Sequence, residues 1–125
     1  MNYNEQCFVC GKLGTECHHR IFRKECKPLE NCRLNHIYLC PEHHRGTHGV
    51  HGKYGYKLNR LIKLQFQNNL EILFDKEELT KEEINKVLEI DKKALYRLLK
   101  TVPNKQDKYN REDVIRACMG GKIII

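Results

Sequence analysis

All seven histidines of this 125-residue chain lie between His18 and His51, and none follows. Histidines placed for packing would scatter along a sequence; histidines gathered beside cysteines point to metal chemistry. The densest stretch, Asn35 to His51, reads N-H-I-Y-L-C-P-E-H-H-R-G-T-H-G-V-H. Upstream lie Cys7-Phe8-Val9-Cys10 and Cys17-His18-His19-Arg20-Ile21. This N-terminal part has few large apolar side chains, and a piece of about fifty residues usually needs a metal or disulfides to hold a fold. Seven cysteines is an odd number, and the start M-N-Y-N-E-Q carries no apolar leader. The expectation is therefore a cytoplasmic protein with reduced, metal-bound thiols. No apolar run approaches the roughly 18 residues needed to span a bilayer, so no membrane partner is expected.

Ligand spacing divides the donors into two sets. Cys7-x-x-Cys10, followed by Gly11 and Gly14, is how a zinc knuckle presents two thiolates from a tight turn. Cys40-Pro41-Glu42-His43 supplies a second knuckle, giving a Cys3His structural zinc site in place of an apolar core. A thioredoxin-like reading of the first pair lacks the βαβ pattern that it requires. Cys26 and Cys32 read as buried or bystander thiols, or as replacements for one of these ligands. His18, His19, Asn35, His44, His48 and His51 remain.

Around these residues the chain divides into short elements. A strand is expected near His18 and another at His36 to Leu39. Pro41 then opens a short helix from Glu42 to about Thr47. Residues 22 to 34 show no period and read as a loop. From Lys57 to Phe74, Leu58, Leu61, Ile62, Phe66, Leu70, Leu73 and Phe74 recur at helical spacing. Thr80-x-x-Glu83 is a capping box opening a helix with Ile84, Val87 and Leu88 inward. Asp91 caps a second helix to about Lys100, which turns Leu95, Leu98 and Leu99 inward and Lys92, Lys93, Tyr96, Arg97 and Lys100 outward. Asn110-x-x-Asp113 opens a last helix, stopped by Gly120-Gly121. The net charge is +7, and Lys92 to Arg111 holds seven basic residues against the single acid Asp107. That asymmetry suggests a polyanion partner, most simply nucleic acid.

The histidine-rich part resembles the HNH endonuclease family, through C-H-H-R-I, Asn35, L-C-P-E-H-H-R-G and G-V-H. The likeness covers roughly residues 7 to 73 and is closest to small phage-type, zinc-containing members. It departs in having His43 where many of those carry cysteine, and in a basic, cysteine-containing insert between Ile21 and Asn35. The resemblance implies a ββα-metal module in which His18 and His44 bind one catalytic divalent cation (Mg2+, Mn2+, Ni2+ or Zn2+). His19 would take a proton from water, and Asn35 would hold the loop and orient His19. For the third cation ligand two residues stand open. His48 lies four residues after His44, on one helix face if the helix continues; His51 lies in the G-V-H of the phage-type likeness. His36 reads as a surface or strand histidine. The segment from Thr80 to Lys100 resembles the helix-turn-helix of excisionase-like DNA binders, with Lys105 to Arg111 at the place of a wing.

Together these readings predict an α+β protein. Residues 1–56 form a zinc-stapled HNH module, 57–75 a connecting amphipathic helix, and 76–125 a helix-turn-helix segment. The expected activity is metal-dependent DNA hydrolysis leaving 5′-phosphate and 3′-hydroxyl ends, with phage or mobile-element association implied by likeness. One active site per chain cuts one strand, so double-strand cleavage calls for a homodimer or sequential nicks. The alternative is a zinc-stabilised DNA-binding protein without turnover. The spare imidazole of His19, needed by neither ligand set, favours catalysis.

Overall fold

The computed structural model describes residues 1–125 as an α+β fold with five α-helices and two small antiparallel sheets. Strands β1 (Glu16–His19) and β2 (His36–Leu39) pair with Glu16 opposite Leu39 and His19 opposite His36. Helix α1 (Pro41–Arg45) follows at once, with Pro41 in its first turn, where a missing N–H does no harm. It is shorter than expected: Gly46 ends it in extended conformation, so the periodicity that would align His48 with His44 stops. No helix of the protein is long and apolar enough to cross a membrane.

A loop built on glycine at every third position, Gly46, Gly49, Gly52 and Gly55, returns the chain from α1. The N–H groups of Gly49, Gly52 and Gly55 each donate to the glycine carbonyl three residues earlier, at 2.9, 2.8 and 3.2 Å. Backbone passes so close to backbone that a Cβ on Gly52 would overlap the Gly46 carbonyl oxygen. Val50 and His51 donate to the carbonyls of His43 and His44 at 2.9 and 3.0 Å, tying this staircase to α1.

Helix α2 (Tyr56–Leu73) buries Ile62, Phe66, Gln67 and Leu70. Leu61 and Leu73, expected on the same stripe, stay exposed because each lies one residue, about 100° of rotation, off the buried i, i+4 row. Then come β3 (Glu78–Leu79), α3 (Lys81–Leu88), α4 (Lys92–Leu99), β4 (Asn104–Lys105), β5 (Lys108–Asn110) and α5 (Arg111–Cys118). Thr80 and Glu83 form the reciprocal cap of α3, and Asp91 and Asn110 accept first-turn N–H groups of α4 and α5. Strand β5 lies between β3 and β4, and a two-residue turn with Gln106 at φ 54° and Asp107 at φ 62° closes the β4–β5 hairpin. Arg111, counted with the basic surface, instead turns its guanidinium onto the carbonyls of Glu71 and Phe74, satisfying the open end of α2.

The buried side chains form two cores. The larger joins Phe66, Leu70 and Phe74 of α2 and its end to α3, α4, β5 and α5, and it also takes in Ile21, Cys26, Leu29 and Cys32. Residues 22–34, read as a loop within the first module, therefore pack with the C-terminal half. They form two single 3₁₀ turns, Lys27–Leu29 and Arg33–Asn35. The Cys32 thiol donates to the Leu88 carbonyl at 3.3 Å and that of Cys26 to Ala117 at 3.5 Å. The smaller core comprises Cys7, Ile37, Leu39, Cys40, Val50 and Ile62. The Ile123–Ile125 tail is held by Gln67, whose side-chain amide exchanges two hydrogen bonds with the Ile124 backbone, at 2.8 and 2.7 Å.

Candidate metal centres

Four donors from two turns converge at the edge of the small core. Cys7 and Cys10 come from the N-terminal turn, Cys40 from the end of β2 and His43 from α1; their ligand atoms all lie within 4.8 Å of one another. Cys10 Sγ and Cys40 Sγ are 3.8 Å apart, and His43 Nδ1 is 3.3 Å from Cys40 Sγ and 3.7 Å from Cys7 Sγ. The edge of a tetrahedron of thiolates around a cation at about 2.3 Å is about 3.8 Å, so this set can hold a metal ion with little movement. Burial pushes the Cys7 thiol up, but N–H groups of Cys40, Cys10 and Val9 outweigh it and hold the pKa at about 6. Three buried cysteines outside this cluster behave oppositely. Burial raises Cys26 to about 11, and it raises Cys32 and Cys118 as well. They are packing residues with no second ligand cluster around them, and neither Cys26 nor Cys32 replaces a ligand.

The second group is His18, His44 and His51, again with ligand atoms within 4.8 Å. Their rings stand in a near-equilateral triangle, with centroids 5.1, 5.0 and 4.9 Å apart. His18 Nε2 is buried and has no hydrogen-bond partner, a state that a cation would relieve. Burial, then the neighbouring His44 and His51, pushes the His18 pKa down to about 3, so this imidazole offers its neutral, ligating form. His48 stands outside the group; it is exposed and stacks on Tyr54 with centroids 5.4 Å apart. The staircase, with His51 bonded back to His44, brings His51 rather than His48 to the other two.

Glu16 was not legible as part of this site. Residues i and i+2 of a strand share a face, so Glu16 points with His18 toward α1. There its carboxylate accepts from His44 Nδ1 at 2.8 Å and from Arg45 through two bonds at 2.9 and 2.8 Å. Arg45, and then His44, holds the Glu16 carboxyl below its ordinary range. This fixes His44 as the Nδ1–H tautomer and leaves Nε2 for a ligand, the usual service of a carboxylate behind a metal-binding histidine. Glu16→Gln is expected to weaken cation binding at the three histidines by about 10–100-fold while the cysteine site keeps its metal. Calorimetric titration with Mn2+ or Ni2+ checks this.

His19 lies on the rim of the same 240 Å3 cavity, with Cys17, Phe22, Arg23 and the three histidines. Its Nε2–H donates to the Glu30 carbonyl at 2.9 Å, which leaves the lone pair on Nδ1. Burial lowers its pKa, keeping the ring neutral near pH 7. His36, its partner across the sheet, donates to the same carbonyl at 2.8 Å. Asn35 is fully buried. Its Oδ1 accepts from Ile21 N–H at 2.8 Å, and Nδ2 donates to the carbonyls of Ile21 and Leu29 at 3.1 and 3.2 Å. It thus pins the peptide next to the one that holds His19.

Burial of neutral His18 has a pH signature. An unfolded histidine titrates near 6.5, whereas His18 titrates near 3 in the fold, so between these values the unfolded chain binds more protons. Stability of the protein with zinc at the cysteines and no second cation added is therefore expected to be full above pH 6.5 and to fall as pH drops toward 3, which thermal melts across that range measure.

Lys92, Lys93, Tyr96, Arg97 and Lys100 all point to solvent along α4, with Tyr96 68% exposed. A 600 Å3 groove beside them is lined by Lys81, Lys92 and Lys100 over Leu95, Leu99 and Tyr109. Comparison with protein families, with curated proteins and with solved structures finds no match for this chain.

Proposed function

We propose that the protein is a divalent-cation-dependent DNA endonuclease of the HNH type, its β1–β2–α1 unit serving as the ββα-metal module. The observation that carries this reading is His19: a neutral imidazole with a free Nδ1, on the rim of the cavity that holds three other histidines, and needed by neither ligand set. In this reading Nδ1 of His19 takes a proton from a water molecule, whose oxygen attacks phosphorus in line with the departing 3′ oxygen. Asn35 and the Glu30 carbonyl keep the ring turned for that transfer. A divalent cation held by His18, His44 and His51 would supply charge stabilisation for the crowded phosphate and the leaving oxygen. The departing 3′ oxygen takes a proton from a solvent water, so the products are a 5′-phosphate and a 3′-hydroxyl.

The three thiolates and one imidazole of the first cluster suit a structural zinc, which prefers four soft ligands in a tetrahedron. Helices α3 and α4, joined by a three-residue turn and followed by the β4–β5 hairpin, serve as a helix-turn-helix with a wing. Exposed Lys92, Lys93, Tyr96, Arg97 and Lys100 support that role, because phosphate contacts require cations free of internal partners. The test is relaxation of supercoiled plasmid by the zinc-loaded protein with added Mg2+, Mn2+ or Ni2+. Conversion to open circles is expected. No conversion with any of the three, alongside retained DNA binding, would leave a zinc-stabilised DNA reader.

A further inference from the structure

We propose that segment 21–34 is a rigid phosphate-binding bridge that fixes where the DNA is cut relative to where α4 holds it. This deepens the nuclease reading and rests on it. The histidine cavity and a cleft beside α4 share a wall. Glu30 presents its carbonyl to His19, while its side chain faces a cleft between the Lys27–Leu29 turn and α4. Lys27, Lys93 and Arg97 line that cleft. On the other side, Arg23 lines the histidine cavity. Cations therefore stand on both sides of the segment, toward the cavity and toward α4, and the two acids that share the cleft, Glu30 and Asp91, pair with none of Lys27, Lys93 and Arg97.

The acids of the segment leave these cations free. Both oxygens of Glu25 bind Lys63, at 3.0 and 2.9 Å, and Oε1 also accepts from Phe22 N–H. Glu30 makes only a loose 3.7 Å contact with Arg23, two-thirds of whose side chain is exposed. Lys24, Lys27 and Arg33 have no carboxylate partner and face solvent. Such an arrangement attracts a polyanion without choosing a sequence.

Rigidity follows from the large core. Leu29 and Cys32 are buried with Leu88, Ile90 and Leu98, and the Cys32 thiol bonds to the carbonyl at the end of α3. Helix α4 cannot swing relative to the cavity without opening this core. Lys93, Ala94 and Arg97 of α4 border one cleft with Lys27 of the segment, so a duplex held by α4 also meets the segment, and the cut falls at a constant distance from the α4 contact.

The experiment uses the full zinc-loaded chain and Lys27→Ala on an end-labelled duplex that the wild type cuts. Affinity is measured against salt concentration, and cut positions are mapped. The wild type is expected to cut at one fixed offset. Lys27→Ala should lower the slope of log affinity against log salt by about 0.9, and cut several-fold more slowly at 0.15 M salt, with unchanged zinc content. An unchanged slope and cutting rate in Lys27→Ala, or wild-type cuts at no constant offset from the footprint of α4 on the same duplex, would overturn the bridge and leave the nuclease reading standing. A wild type that binds DNA and never cuts it overturns both.

Discussion

Cys40→Ser is expected to yield a protein that has lost its cysteine-bound metal and melted locally, while its C-terminal half stays folded. Cys40 ties the end of β2 to the N-terminal turn and to α1, and it is one of only six residues in the small core. A structural zinc contributes roughly 10–16 kcal/mol to folding in small domains, as much as the whole stability of an ordinary one. Six buried residues, three of them no larger than cysteine or valine, cannot offset that loss. The melted region should comprise residues near 1–20 and 35–55. Residues 21–34 should stay protected, because Ile21, Cys26, Leu29 and Cys32 belong to the other core. Metal analysis with amide exchange checks this: an intact β1–β2 pair in a zinc-free mutant would reject the clamp.

His19→Ala is expected to lower plasmid nicking by 10²–10⁴-fold, the usual contribution of a positioned general base. Fold and metal content should be unchanged, since the side chain bonds only to the Glu30 carbonyl and belongs to neither ligand group. Zinc content, Mn2+ titration and DNA affinity are the controls. Nicking that survives the substitution would move the proton-accepting role to another group. His36→Ala is the informative comparison. It removes the other donor to the Glu30 carbonyl while leaving His19's own bond in place, so most activity should remain.

What could be read in advance followed the range of the interactions. The cap residues Thr80, Asp91 and Asn110 act within their own first turns, so their role was visible from neighbouring letters. Cys7-x-x-Cys10 and Cys40-x-x-His43 are likewise local, and the four donors meet. Glu16 became visible only through the strand register, which sets it beside His18 and opposite α1. The segment 22–34 lacked a period because its core contacts reach Leu88 and Ala117, more than fifty residues away. The β4–β5 hairpin, which lies where the helix-turn-helix likeness put a wing, was not legible as strands because two left-handed positions usually call for Asn-Gly, and here Gln106 and Asp107 fill them. The choice between His48 and His51 turned on where α1 stops, and Gly46 decides that.

The staircase of glycines also sets an order of assembly. Its rungs hang from the carbonyls of His43 and His44, so His51 reaches its place only after α1 has formed. His43 is itself one of the four residues that could hold the first ion. An ion on the first cluster would thus help close the pocket for a second, and by linkage the second would tighten the hold on the first to the same degree. In the nuclease reading proposed above, a cell short of the first ion would make a chain whose histidine pocket stays open, harmless to the DNA around it until its scaffold was complete.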